Sequence, residues 1–206
     1  MTAQSSRVRR TQHARGIALI TAVIMLLVIT LLALSGARLA LDTKRSTRNQ
    51  RDFEIAYQAA EAALYDAEID IAQATKRSSI FLPTSTAGFL SGDCNTGITM
   101  PSAFLGMCDT SGNAGEPVWN TIDWTASSGN KTVEYGTFTG RSFPTGTGLT
   151  PARKPRYLIE ILPDNANGSS ASSPTPRYKY RITAIGFGPN DTTRAIVQSV
   201  YRKADS

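Results

Sequence analysis

IALITAVIMLLVITLLALSGA, residues 17–37, carries no charge over 21 positions. Coiled as an α-helix it would span about 31 Å, the thickness of a bilayer's hydrocarbon core. A secretory signal has a shorter apolar region, roughly 7–15 residues, followed by an A-x-A-like site; this run ends in Ser35-Gly36-Ala37-Arg38. A retained single-pass anchor and a cleaved signal are the two general readings, and the flanks must separate them. Ahead of the run stand Arg7, Arg9, Arg10 and Arg15 with no acidic residue among them. By the positive-inside rule they hold the N-terminus on the cytoplasmic side, so everything beyond about residue 38 is expected across the membrane.

Those four arginines also account for most of the formal charge of +6, because setting them aside leaves 18 of the 22 basic residues against 16 acidic ones. A nearly neutral remainder does not suggest a broad phosphate-binding surface. The two cysteines, Cys94 and Cys108, both lie in the exported part. In an oxidising compartment a structural disulfide is favoured over two free thiols, and it would contribute on the order of 3 kcal/mol by restricting the unfolded chain.

Helix-forming character continues past the apolar run, since residues 37–74 contain no Gly or Pro and are rich in Ala, Leu, Glu, Arg and Gln. Phe53, Tyr57, Ala60, Leu64, Ala67 and Ile71 recur at three- or four-residue spacing, a stripe expected to pack on a sheet. One helix over 17–74 is predicted, a rod of about 87 Å. Its first half is apolar all round, and its second is amphipathic. Residues 78–130 then switch to Gly, Ser, Thr, Asn and Pro without periodicity, an irregular connection in which short elements are expected.

Strand patterns return at 132–139, 156–162, 178–187 and 193–202, each rich in β-branched and aromatic residues. Tyr178, Tyr180, Ile182 and Ala184 alternate with Lys179, Arg181 and Thr183, the pattern of a sheet with one buried face. Gly188-Pro189-Asn190-Asp191 is a turn joining the last two strands, and residues 165–176 read as an exposed loop. The expected class is α+β. Its segments are a leader (1–16), an apolar half-helix (17–37), an amphipathic half-helix (38–74), an irregular stretch with the disulfide (75–131) and an antiparallel sheet of about four strands (132–206).

No enzyme is indicated. The lone histidine is His13, in the leader, and no Gly-rich loop follows a strand. Asp66 and Asp70 read as solvated helix carboxylates. DNANG at 164–168 is a fragment of a calcium loop without its terminal acidic ligand, so no cofactor and no metal is expected. Exposed Trp119 or Trp124 would favour a binding module. Arg153, Lys154 and Arg156 with Arg177, Lys179 and Arg181 would favour DNA, but such clusters are usually solvated sheet edges, and no specific nucleic acid is predicted.

Around Gly16 the basic leader ends in Arg15-Gly16 and the charge-free run begins at once. This resembles the class III signal of type IV prepilins. RNQRD at 48–52, AYQAAEAAL at 56–64, YRITAIG at 180–186 and VQSVYR at 197–202 are similar to the PilX family of minor pilins. The resemblance covers residues 14–72 and 155–203 and implies a pilin-like fold with the long helix packed on the sheet. It also implies cleavage between Gly16 and Ile17 by a prepilin peptidase, N-methylation of Ile17, and residence in the inner membrane with the C-terminal domain in the periplasm, followed by an extracellular pilus. Expected partners are other minor pilins, the major pilin and a pilus-tip adhesin; adhesion and twitching motility are the associated behaviours. A minor pseudopilin of a type II secretion system shares the leader and helix and is the alternative. Thr21, fifth in the mature chain, stands where most pilins carry glutamate, a departure expected of a subunit at or near the fibre tip.

Overall fold

The structure, a computed structural model, describes residues 14–73, 77–98, 102–109, 116–164 and 176–204. Most of the leader, His13 and most of the 165–176 loop lie outside the described residues. One helix, α1 (Ala14–Ala72), runs through 59 residues. The chain forms two compact units, Met1–Asn49 and Gln50–Ser206.

Within the first unit α1 is exposed at every position from Gly16 to Asn49. Five of its hydroxyls, those of Thr21, Thr30, Ser35, Thr43 and Thr47, bond inside the helix. Thr30 donates to the Leu27 carbonyl at 2.8 Å, Ser35 to Leu31 at 2.9 Å and Thr43 to Leu39 at 2.8 Å. An apolar solvent offers such groups no other partner.

In the second unit α1 lies on a six-stranded sheet made of β1 (Leu90–Ser91), β2 (Met107–Asp109), β3 (Val133–Glu134), β4 (Arg156–Pro163), β5 (Tyr178–Phe187) and β6 (Arg194–Tyr201). A 3-10 turn (Ser102–Phe104) and a short helix, α2 (Val118–Thr121), complete the elements. Strands β4, β5 and β6 are consecutive antiparallel neighbours, with Ile159 opposite Ile182 and Ile182 opposite Ser199. At the β5–β6 turn the Gly188 amide donates to Thr193 O at 2.8 Å and the Thr193 amide to Asn190 O at 2.9 Å. The sheet is mixed rather than wholly antiparallel, because β1 pairs parallel to β2 and β2 parallel to β4. These strands of two and three residues come from the connection that shows no periodicity, and their ends are tied by the Gly92 amide to Asp109 O at 2.6 Å and the Ile159 amide to Gly106 O at 2.9 Å.

The expected strand over 132–139 is cut to two residues by Gly136. Its φ of 80° is open to glycine but strained for other residues, and a Cβ there would collide with the Arg141 carbonyl. The chain turns away, and the Gly136 amide donates to Asp66 Oδ2 at 2.9 Å instead of to a ladder.

The face of α1 against the sheet also differs from the expected stripe. Ala60 and Ile71 are fully buried and Leu64 partly so, but Phe53 is 51% and Tyr57 38% exposed. The buried face is Ala56, Ala59, Ala60, Ala63, Asp66, Ala67, Asp70 and Ile71, rotated roughly 90° from Phe53, Tyr57 and Leu64 at 3.6 residues per turn. Alanine faces the sheet because the backbones nearly touch. A Cβ built on Gly186 of β5 would fall onto the Ala56 carbonyl oxygen and the Ala60 nitrogen, and 2.9 Å from the Ala59 carbonyl carbon. Tyr157, Ile159 and Ile161 of β4 with Tyr180, Ile182 and Ala184 of β5 complete that core.

The opposite face of the sheet is covered as well, contrary to the one-faced pattern. Cys94, Cys108, Val118 and Trp124 pack with Leu158, Ile185 and Phe187. Thr183 is buried, and Arg181 reaches the buried Glu160 through two hydrogen bonds of 2.8 Å.

Candidate functional site

Two regions of the chain bear on function: the exposed apolar part of α1, and a buried polar cluster that fixes the rest of α1 to the domain. In the first, α1 from Gly16 on is long and apolar enough to cross a membrane. Gly16 and Ile17 stand in its first turn, and a Cβ on Gly16 would meet nothing within 4 Å. Ile17, Leu19, Ile20, Val23 and Ile24 are all exposed, so a helix surface with no polar side beyond a few internally bonded hydroxyls is offered to lipid or to other helices. Thr21 lies in this surface, and its hydroxyl donates to the Ala18 carbonyl at 3.0 Å.

The second region was invisible in the sequence, because Asp66 and Asp70 are fully buried rather than solvated. Asp70 accepts from Arg77 Nε at 2.7 Å and from the Tyr157 hydroxyl at 2.9 Å, while Arg77 Nη1 donates to the carbonyls of Leu105 at 2.7 Å and Ala103 at 3.1 Å. The guanidinium also sits 3.8 Å from the centre of the Phe138 ring. Asp66, one turn earlier, accepts from the Thr139 hydroxyl at 2.6 Å as well as from Gly136. Burial pushes the Asp66 carboxyl up, and these two hydrogen bonds pull against it. A cation held by a carboxylate, two carbonyls and a ring is committed to structure, with Nη2 facing Asp70 in the ion pair alone. The cluster therefore ties α1 to the segment around the 3-10 turn, to β4 and to the loop after β3.

Two phenols facing α1 are held neutral. Burial first, and then the Asp70 carboxylate, raise Tyr157 well above its usual value, and burial pushes Tyr180 up to about 12. A raised phenol keeps in the folded state a proton that the unfolded chain releases near pH 10. Its stabilising contribution is complete below that pH and is lost as pH climbs toward 12. The denaturant midpoint of the chain is expected to fall steadily from pH 10 to 12, and less steeply in Tyr180→Phe; equal slopes for both proteins would contradict this.

The disulfide Cys94–Cys108 is formed. It clips the segment after β1 to β2 on the sheet face away from α1, where Val118 and Trp124 cover it. Trp124 is buried, with its indole nitrogen donating to Trp119 O at 2.9 Å, and Trp119 is half-buried. Neither supplies the exposed aromatic that a binding module would use. Much of the basic cluster is matched by acids: Arg153 with Asp191 at 2.6 Å, Lys154 with Glu134 at 3.1 Å, Arg156 with Glu134 at 3.7 Å and Arg181 with Glu160. Of the DNANG fragment only Asp164 is described, and it accepts from Arg202 at 2.8 Å; the remainder lies outside the described residues.

A charge-free helix that continues into an α-on-β head, with the head fixed to the helix by a buried ionic cluster, defines a pilin-like subunit. The family model for the PilX N-terminal region matches residues 15–64, and that for the type IV pilus assembly protein PilX C-term matches residues 83–203. The second match runs through the 83–130 stretch that carried no recognisable motif. No curated protein and no solved structure matches the chain. The chain belongs to the PilX family of type IV pilus assembly proteins. It is a minor pilin of a structural family that works with other pilus components, and its apolar helix suits membrane anchoring before entry into a pilus.

Proposed function

We propose that this minor pilin primes assembly of a type IV pilus from a position at or near the fibre tip, as a structural subunit and not an enzyme. A leader peptidase releases it between Gly16 and Ile17, N-methylation follows at Ile17, and the C-terminal domain faces the periplasm until the apolar helix leaves the bilayer for the fibre. Adhesion and twitching motility are the behaviours it would support. The family match favours a pilus over the type II secretion alternative.

The observation that carries the tip reading is the state of Thr21. Its hydroxyl is satisfied by Ala18 of its own helix at 3.0 Å, so it needs nothing from another subunit. A carboxylate at this depth among apolar helices would be destabilising unless a cation stood opposite it. In a growing fibre that cation is the N-terminal amine of the subunit ahead, and a leading subunit has none ahead of it. Thr21→Glu is expected to cut the number of pili per cell severalfold without changing the level of the protein in the membrane. Unchanged pilus number, with labelled protein spread along whole fibres, would refute the tip placement.

A further inference from the structure

Immediately beyond the apolar run, α1 carries Arg38, Lys44, Arg45 and Arg48, all exposed. At 100° per residue they fall within an arc of about 120°, while Thr43, Ser46 and Thr47 take the opposite face. Asp42 is the one acid in this stretch; it borders the arc one turn from Arg38 and Arg45 and leaves a net excess of three positive charges. Among the described residues no ion pair neutralises any of the four, in contrast to Arg153, Lys154, Arg156 and Arg181 on the domain. Leu41, Lys44, Arg45 and Arg48 line a crease along this face.

We propose that this face binds anionic phospholipid headgroups of the leaflet from which α1 emerges, holding the subunit at a fixed depth before assembly. The proposal rests on the reading of residues 17–37 as a membrane span. Geometry favours lipid over a protein partner. Arg38 follows the apolar run directly, and Lys44 and Arg45 stand only about 9–11 Å further along the axis, with Arg48 about one turn beyond. Side chains on a helix lean toward its N-terminus, which here is the bilayer, so Arg38, Lys44 and Arg45 reach back toward the headgroup layer while Arg48 stands at its outer margin. Leu41, amid the cations, adds an apolar contact at the interface. Cations on one face at successive depths meet phosphodiester groups at the level of the headgroup layer, where each basic residue near the surface strengthens the attraction roughly fivefold. Basic residues flank the span on both sides, so the exported placement of this face rests on the pilin-family match rather than on the positive-inside count.

The test uses the full chain reconstituted in vesicles of phosphatidylcholine with phosphatidylglycerol, extracted in mild detergent, with retained lipids counted by native mass spectrometry. The unaltered chain is expected to enrich phosphatidylglycerol over phosphatidylcholine by roughly fivefold or more. Enrichment should fall severalfold in R38Q/K44Q/R45Q/R48Q and on extraction in 0.5 M salt, and should persist in R38K/R45K/R48K. Every variant keeps the leader arginines, so their contribution is common to all. Equal enrichment in the glutamine variant would overturn the proposal, as would equal enrichment accompanied by loss of a co-purifying pilin, which would assign the face to a protein. Neither leader cleavage nor fibre assembly enters the assay, so its failure leaves the pilin reading standing, and failure of that reading is seen separately in the N-terminus of the mature chain.

Discussion

Gly186→Ala is expected to destabilise the domain by at least about 3 kcal/mol, the upper end of overpacking effects. The added carbon would overlap the carbonyl oxygen of Ala56 and the nitrogen of Ala60. Both are main-chain atoms in the middle of α1, so no rotamer change can make room. The helix must lift off β5, and the closely packed alanines at 56, 59, 60 and 63 then lose dispersion contacts along the whole seam. In a chain of this size the thermal midpoint should drop by about 10 °C. Shrinking a neighbour, as in a G186A/A59G double variant, should recover little, because the obstacle is backbone. A midpoint within 2 °C of the unaltered chain would show that the helix does not sit where this packing requires.

The second large effect is expected from Asp70→Ala. Removing one member of a buried ion pair leaves the other charge uncompensated, a loss of about 3–5 kcal/mol. Here the stranded group would be Arg77, fully buried and held in addition by the carbonyls of Ala103 and Leu105. Replacing both partners with apolar residues, as in D70L/R77M, should recover at least half of the single-variant loss, because a buried pair contributes more to orientation than to net stability. Urea midpoints of D70L, R77M and D70L/R77M form the cycle that measures this. Additive losses would mean that Asp70 and Arg77 act independently.

The elements most legible in the sequence were those with a long repeat. Continuous helix character over 17–74 follows from composition and matches the helix at Ala14–Ala72 to within a turn, and β4, β5 and β6 follow from runs such as RYLIEIL and YKYRITAIGF. What misled was the weight given to large side chains. Phe53 and Tyr57 looked like the packing face, yet closest approach selects alanine, and the constraint that decides this is Gly186, more than a hundred residues away. Asp66 and Asp70 looked solvated for the same reason: their partners Thr139, Gly136, Tyr157 and Arg77 become neighbours only after folding. The parallel strands β1 and β2 are too short to leave a periodic trace, and backbone bonds and a disulfide hold them rather than side-chain alternation. Likewise the second buried sheet face could not be read from Lys179, Arg181 and Thr183, because the cover comes from the aperiodic connection.

The functional reading divides in the same way. The apolar run and the Arg15-Gly16-Ile17 junction are local features, visible without a fold. Thr21 was legible as a departure from the pilin pattern, and the structure adds that its hydroxyl is already bonded within its own helix.

The most direct test of the account is the N-terminus of the mature protein, read by intact mass and N-terminal sequencing from cells with and without the prepilin peptidase. The account predicts a chain that begins at N-methylated Ile17 when the peptidase is present and an uncut precursor when it is absent. An uncut chain in both, or one cut near Ala37, would reduce residues 17–37 to an ordinary anchor or signal and remove the basis for assembly through this helix.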